Sequence, residues 1–229
     1  MPDVAQRGGS LLLLVFAAVV LLCLGACDSF SPRTAPPPCN PTTDPNCKPP
    51  PEFLDPLTPE VVRINIEAAV EGRTVQPNYE RSLTPEPADQ PGLFTYIPDP
   101  GAEAQAPPGF FVGWNKGREV QFMLNLLEAS GDSLQKVELD FPRFTVDPSF
   151  PSTPDLTRYD VNYQLALTYE RGDPPVQRID HYAGTAKWDL TGGARNFWTL
   201  LRWEDRSPLA VPGVTIIGTM GTLRAFVGP

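Results

Sequence analysis

The chain has 229 residues, with 18 Lys and Arg against 27 Asp and Glu, one His and a formal net charge of −9 at pH 7. That length suits one ordinary domain with extensions. The acidic balance argues against nucleic-acid binding, which needs a basic surface, and one His with four Cys leaves few ligands for a zinc or copper site. We therefore expect no metal, and no cofactor is predicted. Since 41% of the residues are hydrophobic, we expect a folded core.

The N-terminus has the pattern of a bacterial export signal. Residues 11–24 are apolar and uncharged, a run shorter than the roughly 20 residues of a transmembrane helix. It ends in Leu24-Gly-Ala-Cys27, which resembles the lipobox of bacterial lipoproteins. The resemblance implies cleavage after residue 26, lipidation of Cys27, and a lipid-anchored protein of the cell envelope that faces the periplasm or exterior. An ordinary cleaved signal and an uncleaved membrane anchor are the alternatives.

Residues 27–55 form a predicted tether. Residues 31–51 are rich in proline and hold few apolar side chains, so they cannot build a core and favour extended polyproline II structure. Cys39 and Cys47 are the two cysteines left once the signal is removed and Cys27 is lipidated. An even pair in an exported chain favours a disulfide, with two free thiols as the alternative.

The domain, residues 56–229, begins with helical patterns. Thr58 followed by Pro59 predicts a helix start, and Gly72 predicts its end after Glu71. Residues 78–83 favour a second short helix, residues 93–97 a strand, and residues 101–109 a loop rich in Gly, Ala and Pro. A third helix is predicted from the cap Asn115 to Gly131, with one apolar face formed by Val120, Met123, Leu124 and Leu127.

The rest of the chain has the period of strands. Residues 137–146 alternate apolar and polar side chains, with Pro142 predicted at a bulge or edge. Residues 159–169 show the clearest alternation, and residues 177–190 predict a second long strand. Residues 196–205 are apolar on both faces, which predicts a central buried strand, and residues 214–227 suggest a last strand. The element order predicts an α+β fold, with three N-terminal helices on one face of a curved antiparallel sheet.

This order resembles the nuclear transport factor 2-like superfamily, which includes SnoaL-like and ketosteroid isomerase-like proteins. The resemblance covers about residues 56–227, and a lipocalin-like barrel is the main rival. It rests on five stretches in a particular order: Tyr79-Glu-Arg-Ser-Leu83; Phe94-Thr-Tyr-Ile-Pro-Asp-Pro100; Trp114 followed by Glu119; Gly184-Thr-Ala-Lys-Trp-Asp-Leu190; and Phe197-Trp-Thr-Leu-Leu-Arg-Trp-Glu-Asp205.

The resemblance implies a cone, a bent sheet wrapped around a helix, with an apolar cavity. It points to a pocket for a small apolar ligand, and the candidate residues of that pocket are all aromatic: Tyr79, Tyr96, Trp114, Tyr163, Tyr182 and Trp198. The chain has four tryptophans, and such residues are more typical of a core than of a ligand cage: Trp114, Trp188, Trp198 and Trp203. Binding of a protein partner is the other expectation.

Isomerase-like members use a cavity carboxylate to move a proton and a Tyr to stabilise an oxyanion, which needs a carboxylate whose pKa an apolar wall raises. Candidate acids are Asp99, Glu119, Asp160 and Asp205, but none matches a family catalytic motif. Asp99 looks like a turn residue, Asp160 lies on the polar side of its strand, Glu119 falls in a first helical turn, and Asp205 ends a strand. His181 is predicted at the surface or a pocket rim. We therefore expect no catalytic residue, and keep a ketosteroid isomerase- or dehydratase-like enzyme as the alternative.

Overall fold

The computed structural model describes residues 52–85, 93–128, 133–172, 174–192 and 197–229. The predicted signal peptide, Cys27, Cys39 and Cys47 lie outside the described residues. Every element below belongs to one compact unit, Pro50–Pro229, which contains a hydrophobic core of its own and has the size of a domain that folds independently.

The N-terminal helices follow the prediction. Helix α1, Pro59–Glu71, starts after Thr58 with Pro59 in its first turn and ends at Gly72. A π-helical turn, Val75–Tyr79, and the short helix α2, Glu80–Ser82, occupy the place of the predicted second helix. These elements bring the first large aromatic side chain of the core, Tyr79, to a buried position.

The predicted loop of residues 101–109 is wrong in its first half. Strand β1, Thr95–Ile97, leads into helix α3, Pro100–Gln105. Asp99 caps this helix, because its Oδ1 accepts hydrogen bonds from Gly101 N at 2.9 Å and Ala102 N at 3.1 Å. The cap and the Pro at the first helical position start a helix that composition alone does not suggest.

Helix α4, Lys116–Glu128, confirms the third predicted helix. Asn115 caps it, since its Oδ1 accepts a hydrogen bond from Arg118 N at 3.1 Å. The predicted apolar face packs into the core at Val120, Met123 and Leu127, whereas Leu124 is half-buried. Phe122 and Leu126 are also buried, so the helix is enclosed on more than one face.

The long strands form a curved sheet that does not close. Its strands run in the order β1-β5-β4-β3-β2, with β6 paired to β4 beside the end of β5. The four long strands are antiparallel, as predicted, whereas β1 is parallel to β5 and β6 is parallel to β4. The bounds of the strands after β1 are β2 Leu134–Val146, β3 Leu156–Arg171, β4 Val176–Gly192, β5 Trp198–Pro208 and β6 Ile216–Gly218.

The strand pairing confirms the predicted bulge at Pro142 and corrects the predicted central position of β5. The register of β2 against β3 shifts between Asp140 and Arg143, so Pro142 does lie at a bulge. Strand β5 is not the centre of the sheet, because β4 is, and the outer neighbour of β5 is the three-residue β1. Its partners still bury Leu200 and Trp203 completely.

The last predicted strand, residues 214–227, is wrong. Only β6 is extended there, and helix α5, Met220–Val227, follows it. The helix begins with a capping box, in which Thr222 N donates to Thr219 Oγ1 at 3.2 Å and Thr219 N donates to Thr222 Oγ1 at 3.4 Å. β-branched residues before and inside this segment gave it the composition of a strand. The capping box of Thr219 and Thr222 instead starts a helix.

The concave face of the sheet and the helices enclose the core. Residues of β3 and β4 that share this face include Tyr163 and its register partner Gly184. A Cβ on Gly184 would lie 2.4 Å from Tyr163 Oη, so only glycine leaves room for this ring. The opposite face of β3 and β4 is charged, with Arg158 paired to Asp189 at 2.5 Å and Lys187 paired to Asp160 at 2.5 Å.

Candidate functional site

The centre of the core holds an ion pair between two helices. Glu119, in the first turn of α4, and Arg224, in α5, are both fully buried. Arg224 Nε donates to Glu119 Oε2 at 2.9 Å, and Arg224 Nη2 donates to Glu119 Oε1 at 2.5 Å. This two-point geometry is the strongest arrangement that a guanidinium and a carboxylate adopt.

Two further donors complete the surroundings of Glu119. Tyr79 Oη donates to Oε1 at 2.7 Å, and Trp114 Nε1 donates to Oε2 at 2.8 Å. A carboxylate has about four lone-pair sites. The Glu119 carboxylate therefore has its hydrogen-bonding capacity filled by the protein itself.

Aromatic rings surround the guanidinium of Arg224. Its Cζ lies 4.0 Å from the centroid of Tyr96, 4.9 Å from Phe122 and 5.0 Å from Trp203. Burial by itself lowers the pKa of Arg224, but the charge of Glu119 outweighs burial, and the pKa lies above its ordinary value. The Arg224 side chain thus stays a cation inside the core.

Asp205 forms a second buried acid site next to this pair. Its Oδ2 accepts hydrogen bonds from Tyr96 Oη at 2.8 Å and Gly221 N at 2.9 Å, and its Oδ1 accepts one from Trp203 Nε1 at 2.7 Å. Burial raises the pKa of Asp205, although Arg224 and these hydrogen bonds oppose the increase. Glu119 and Asp205 are 0% and 2% exposed.

The fold therefore makes two tyrosine–carboxylate pairs that the sequence analysis did not find, Tyr79 with Glu119 and Tyr96 with Asp205. Each pair joins residues far apart in the chain, 40 and 109 positions respectively. Local patterns placed Glu119 correctly at a helix start and Asp205 in a strand, although β5 continues to Pro208 and Asp205 does not end it as predicted. These patterns held no information about the partners of either acid. One signal was present: Arg224 is a lone cation in an apolar segment.

The six candidate pocket residues fall into three settings. Tyr79, Tyr96, Trp114 and Tyr163 are buried in the core, where Tyr163 Oη also accepts a hydrogen bond from Met220 N at 3.0 Å. Tyr182 is largely buried and lines a surface cleft. Trp198 is half-buried, and its backbone N donates to Pro56 O at 2.7 Å.

The remaining candidate acids have structural partners. Asp99 is buried, and besides capping α3 its Oδ2 accepts a hydrogen bond from Thr219 Oγ1 at 2.5 Å. Asp99 is thus a helix cap that also holds the start of α5, which corrects its interpretation as a turn residue. Asp160 lies on the charged face of the sheet, as predicted, and His181 is half-buried on that same face.

Among the clefts on the described part of the surface, two are considered in detail because the candidate residues Tyr182 and His181 line them. The first, the C-terminal cleft, has a volume of about 460 Å³ and lies between the concave end of β3 and β4 and the helices α4 and α5. The second, of about 410 Å³, contains His181 and several carboxylates, among them Glu67, Glu71 and Asp140. Burial raises the pKa of Glu67, and the charges of Glu71 and Asp140 add to the increase against the opposing Arg63.

In the ranges that the structure covers, no three His, Cys, Asp or Glu side chains are grouped so that they could hold a metal ion. Among the described helices, none is long and apolar enough to cross a membrane.

No protein-family model matches the chain, and no curated protein matches it. Solved structures similar to it include a nuclear transport factor 2 (NTF2-like) superfamily protein from Salmonella enterica, with 11% identity, a TM-score of 0.42, and coverage of 67% of this chain and 89% of that chain. A protein from Novosphingobium aromaticivorans, provisionally named an aromatic ring hydroxylase, has 13% identity, a TM-score of 0.45, and coverage of 69% and 90%. A protein from Streptomyces avermitilis, provisionally named a dehydratase of the NTF2-like family, has 10% identity, a TM-score of 0.44, and coverage of 66% and 94%.

The buried ion pair leads to a stability prediction. Glu119→Gln keeps the shape of the side chain but leaves Arg224 as an uncompensated buried cation, so the free energy of unfolding should fall by about 3–5 kcal/mol. Adding Arg224→Met should recover part of this loss, because the unpaired charge is then removed. Urea unfolding followed by tryptophan fluorescence measures both changes.

A matched control is Glu138→Gln, which removes a carboxylate from an exposed pair with Lys136 whose side chains are 61% and 53% exposed. Its effect should stay below about 1 kcal/mol. An equal cost for Glu119→Gln and Glu138→Gln would contradict the central role of the Glu119–Arg224 pair.

The buried tyrosines predict a dependence of stability on alkaline pH. Burial first, then the neighbouring carboxylates, raise the pKa of Tyr79, Tyr96 and Tyr163 well above the usual value, and burial raises the pKa of Tyr182 to about 12. Because the folded-state pKa exceeds the unfolded value of about 10, the stabilisation is complete below pH 10 and is lost as pH rises through the folded-state pKa.

Absorbance of the tyrosinate band, recorded with circular dichroism over the same pH series, tests this expectation. The chain has six tyrosines, and part of their ionisation should coincide with unfolding rather than occur near pH 10. The same titration in guanidinium chloride supplies the unfolded reference. Ionisation of all six near pH 10 in a chain that keeps its native spectrum would show that the three core hydroxyls are accessible.

Proposed function

We propose that this chain is a bacterial lipoprotein, anchored to a membrane of the cell envelope through Cys27, whose folded unit faces the periplasm or exterior. We infer that this unit, residues 56–229, is a non-catalytic NTF2-like domain that binds a small apolar ligand or a protein partner. Support for the family comes from the order of elements, helices first and long antiparallel strands after, around one core.

Support for the anchor comes from the N-terminal sequence. An apolar run too short for a comfortable span ends at a small-residue pair followed by Cys27. Two acyl chains on this thiol would meet the requirement of two signals for stable membrane attachment. The proline-rich residues 31–51 would then act as a spacer, shortened by a disulfide between Cys39 and Cys47.

The observation that carries the non-catalytic assignment is the filled hydrogen-bonding capacity of the buried acids. General acid–base catalysis needs a carboxylate within reach of a substrate atom. Glu119 and Asp205 are enclosed, and their oxygens already accept hydrogen bonds from the protein at seven points in total, four on Glu119 and three on Asp205. The tyrosine–acid pairs therefore support the core, and neither Glu119 nor Asp205 is placed to act on a substrate as the isomerase- or dehydratase-like alternative would require.

Lipidation can be tested in a bacterial host. The full chain should partition with membranes and take up labelled palmitate, whereas Cys27→Ser should lose the label. Cys23→Ser is the matched control, because that residue lies within the predicted signal and should leave labelling unchanged. Palmitate incorporation that survives Cys27→Ser would refute anchoring at this residue.

Ligand binding can be tested by native mass spectrometry of residues 50–229 expressed in bacteria. Extra mass that disappears on denaturation would support a bound small molecule and supply it for identification. A bare mass would count against a tightly held ligand and favour the protein partner, which membrane cross-linking of the full-length protein would then examine.

A further inference from the structure

The C-terminal cleft has an apolar floor and an exposed apolar wall. Leu126, Tyr182 and Leu223 form the floor and are nearly buried. Phe226 and Val176 form the wall, and they are 87% and 68% exposed. The cleft volume of about 460 Å³ lies in the usual range for small-molecule pockets, roughly 300–1,000 Å³.

Phe226 stands out among these residues. Helix α5 turns Leu223 and Arg224 into the core, and the same helix presents Phe226 to solvent at the cleft. Exposed large apolar groups next to a cleft are typical of ligand-binding surfaces, because a ligand that covers them removes apolar surface from contact with water, which favours binding. A ligand with an apolar portion fits this wall.

The rim of the same cleft is positively charged, in a chain whose net charge is −9. Arg171 and Arg178 line it with Asp180. Arg178 Nε donates to Asp180 Oδ1 at 2.7 Å, so these two charges largely compensate each other. Arg171 is exposed and adds one uncompensated positive charge among the described residues that line the cleft.

We propose that the C-terminal cleft binds an amphipathic anion of the fatty-acid class. The apolar chain lies against Leu126, Leu223 and Phe226, and the carboxylate lies at the guanidinium of Arg171. Guanidinium groups recognise carboxylates by paired hydrogen bonds. The inference rests on the proposed function and names the class of ligand for it.

Isothermal titration of residues 50–229 with decanoate and with decanol tests the proposal. The two probes share an apolar chain and differ in the anionic head group. Decanoate should bind more tightly than decanol by up to about fivefold, since an ion pair with an exposed arginine contributes below about 1 kcal/mol.

Two variants test the charged and the apolar part of the cleft separately, and a third variant outside the cleft is the control. Arg171→Gln should weaken decanoate binding by up to about fivefold and leave decanol binding unchanged. Phe226→Ser should weaken the binding of both probes, and because this side chain is 87% exposed the fold should tolerate the change. Arg143→Gln is the matched control, since Arg143 is an exposed arginine outside this cleft and its loss should change neither affinity.

Each outcome decides between the proposals. Tighter binding of decanoate that depends on Arg171 and Phe226 supports the fatty-acid site. Equal binding of both probes that depends on Phe226 alone overturns the anion preference but keeps an apolar ligand. Binding of decanoate that no cleft variant weakens overturns this location. Absence of binding by either probe overturns the fatty-acid inference, whereas the native mass of residues 50–229 and the labelling of Cys27 test the proposed function separately.

Discussion

The fold depends on the buried ion pair of Glu119 and Arg224. An unpaired charge of either sign in this core would carry a large desolvation cost, so each side chain needs the other in place. The pair joins α4 to α5, and the other donors to Glu119 bring in Tyr79 from the π-helical turn and Trp114 from the segment before α4. One carboxylate thus ties three separate parts of the chain together.

The same interaction is surrounded by aromatic rings and by a second acid. Arg224 lies against Tyr96, Phe122 and Trp203, and Asp205 accepts hydrogen bonds from the hydroxyl of Tyr96 and the indole of Trp203. The protein's own side chains therefore fill the space around the ion pair. Helix α5, which carries Arg224, also borders the C-terminal cleft through Leu223, Phe226 and Val227.

The two faces of the sheet differ in what they contact. The concave face packs against the core, and the opposite face carries charged pairs. On the concave face, Tyr163, Gly184 and their neighbours pack the core, and the close approach of Gly184 leaves no room for a larger residue. On the other face, Arg158 and Lys187 pair with carboxylates across strands. Such partly exposed pairs contribute little stability each, but they keep this broad face polar and fix the register of the strands.

The sequence by itself determined α1, α4, the four long strands and the bulge at Pro142, because caps, helical faces and two-residue alternation are local signals. It failed where a local signal was weak or misleading: Asp99 starts α3 as a cap, and Thr219 with Thr222 turns a β-branched segment into α5. Only the tertiary structure decided the partners of Glu119 and Asp205, since these contacts join residues up to 109 positions apart. Which cation or hydroxyl group becomes the partner of a buried acid depends on tertiary packing. The periodicity of apolar residues along the sequence carries no information about it.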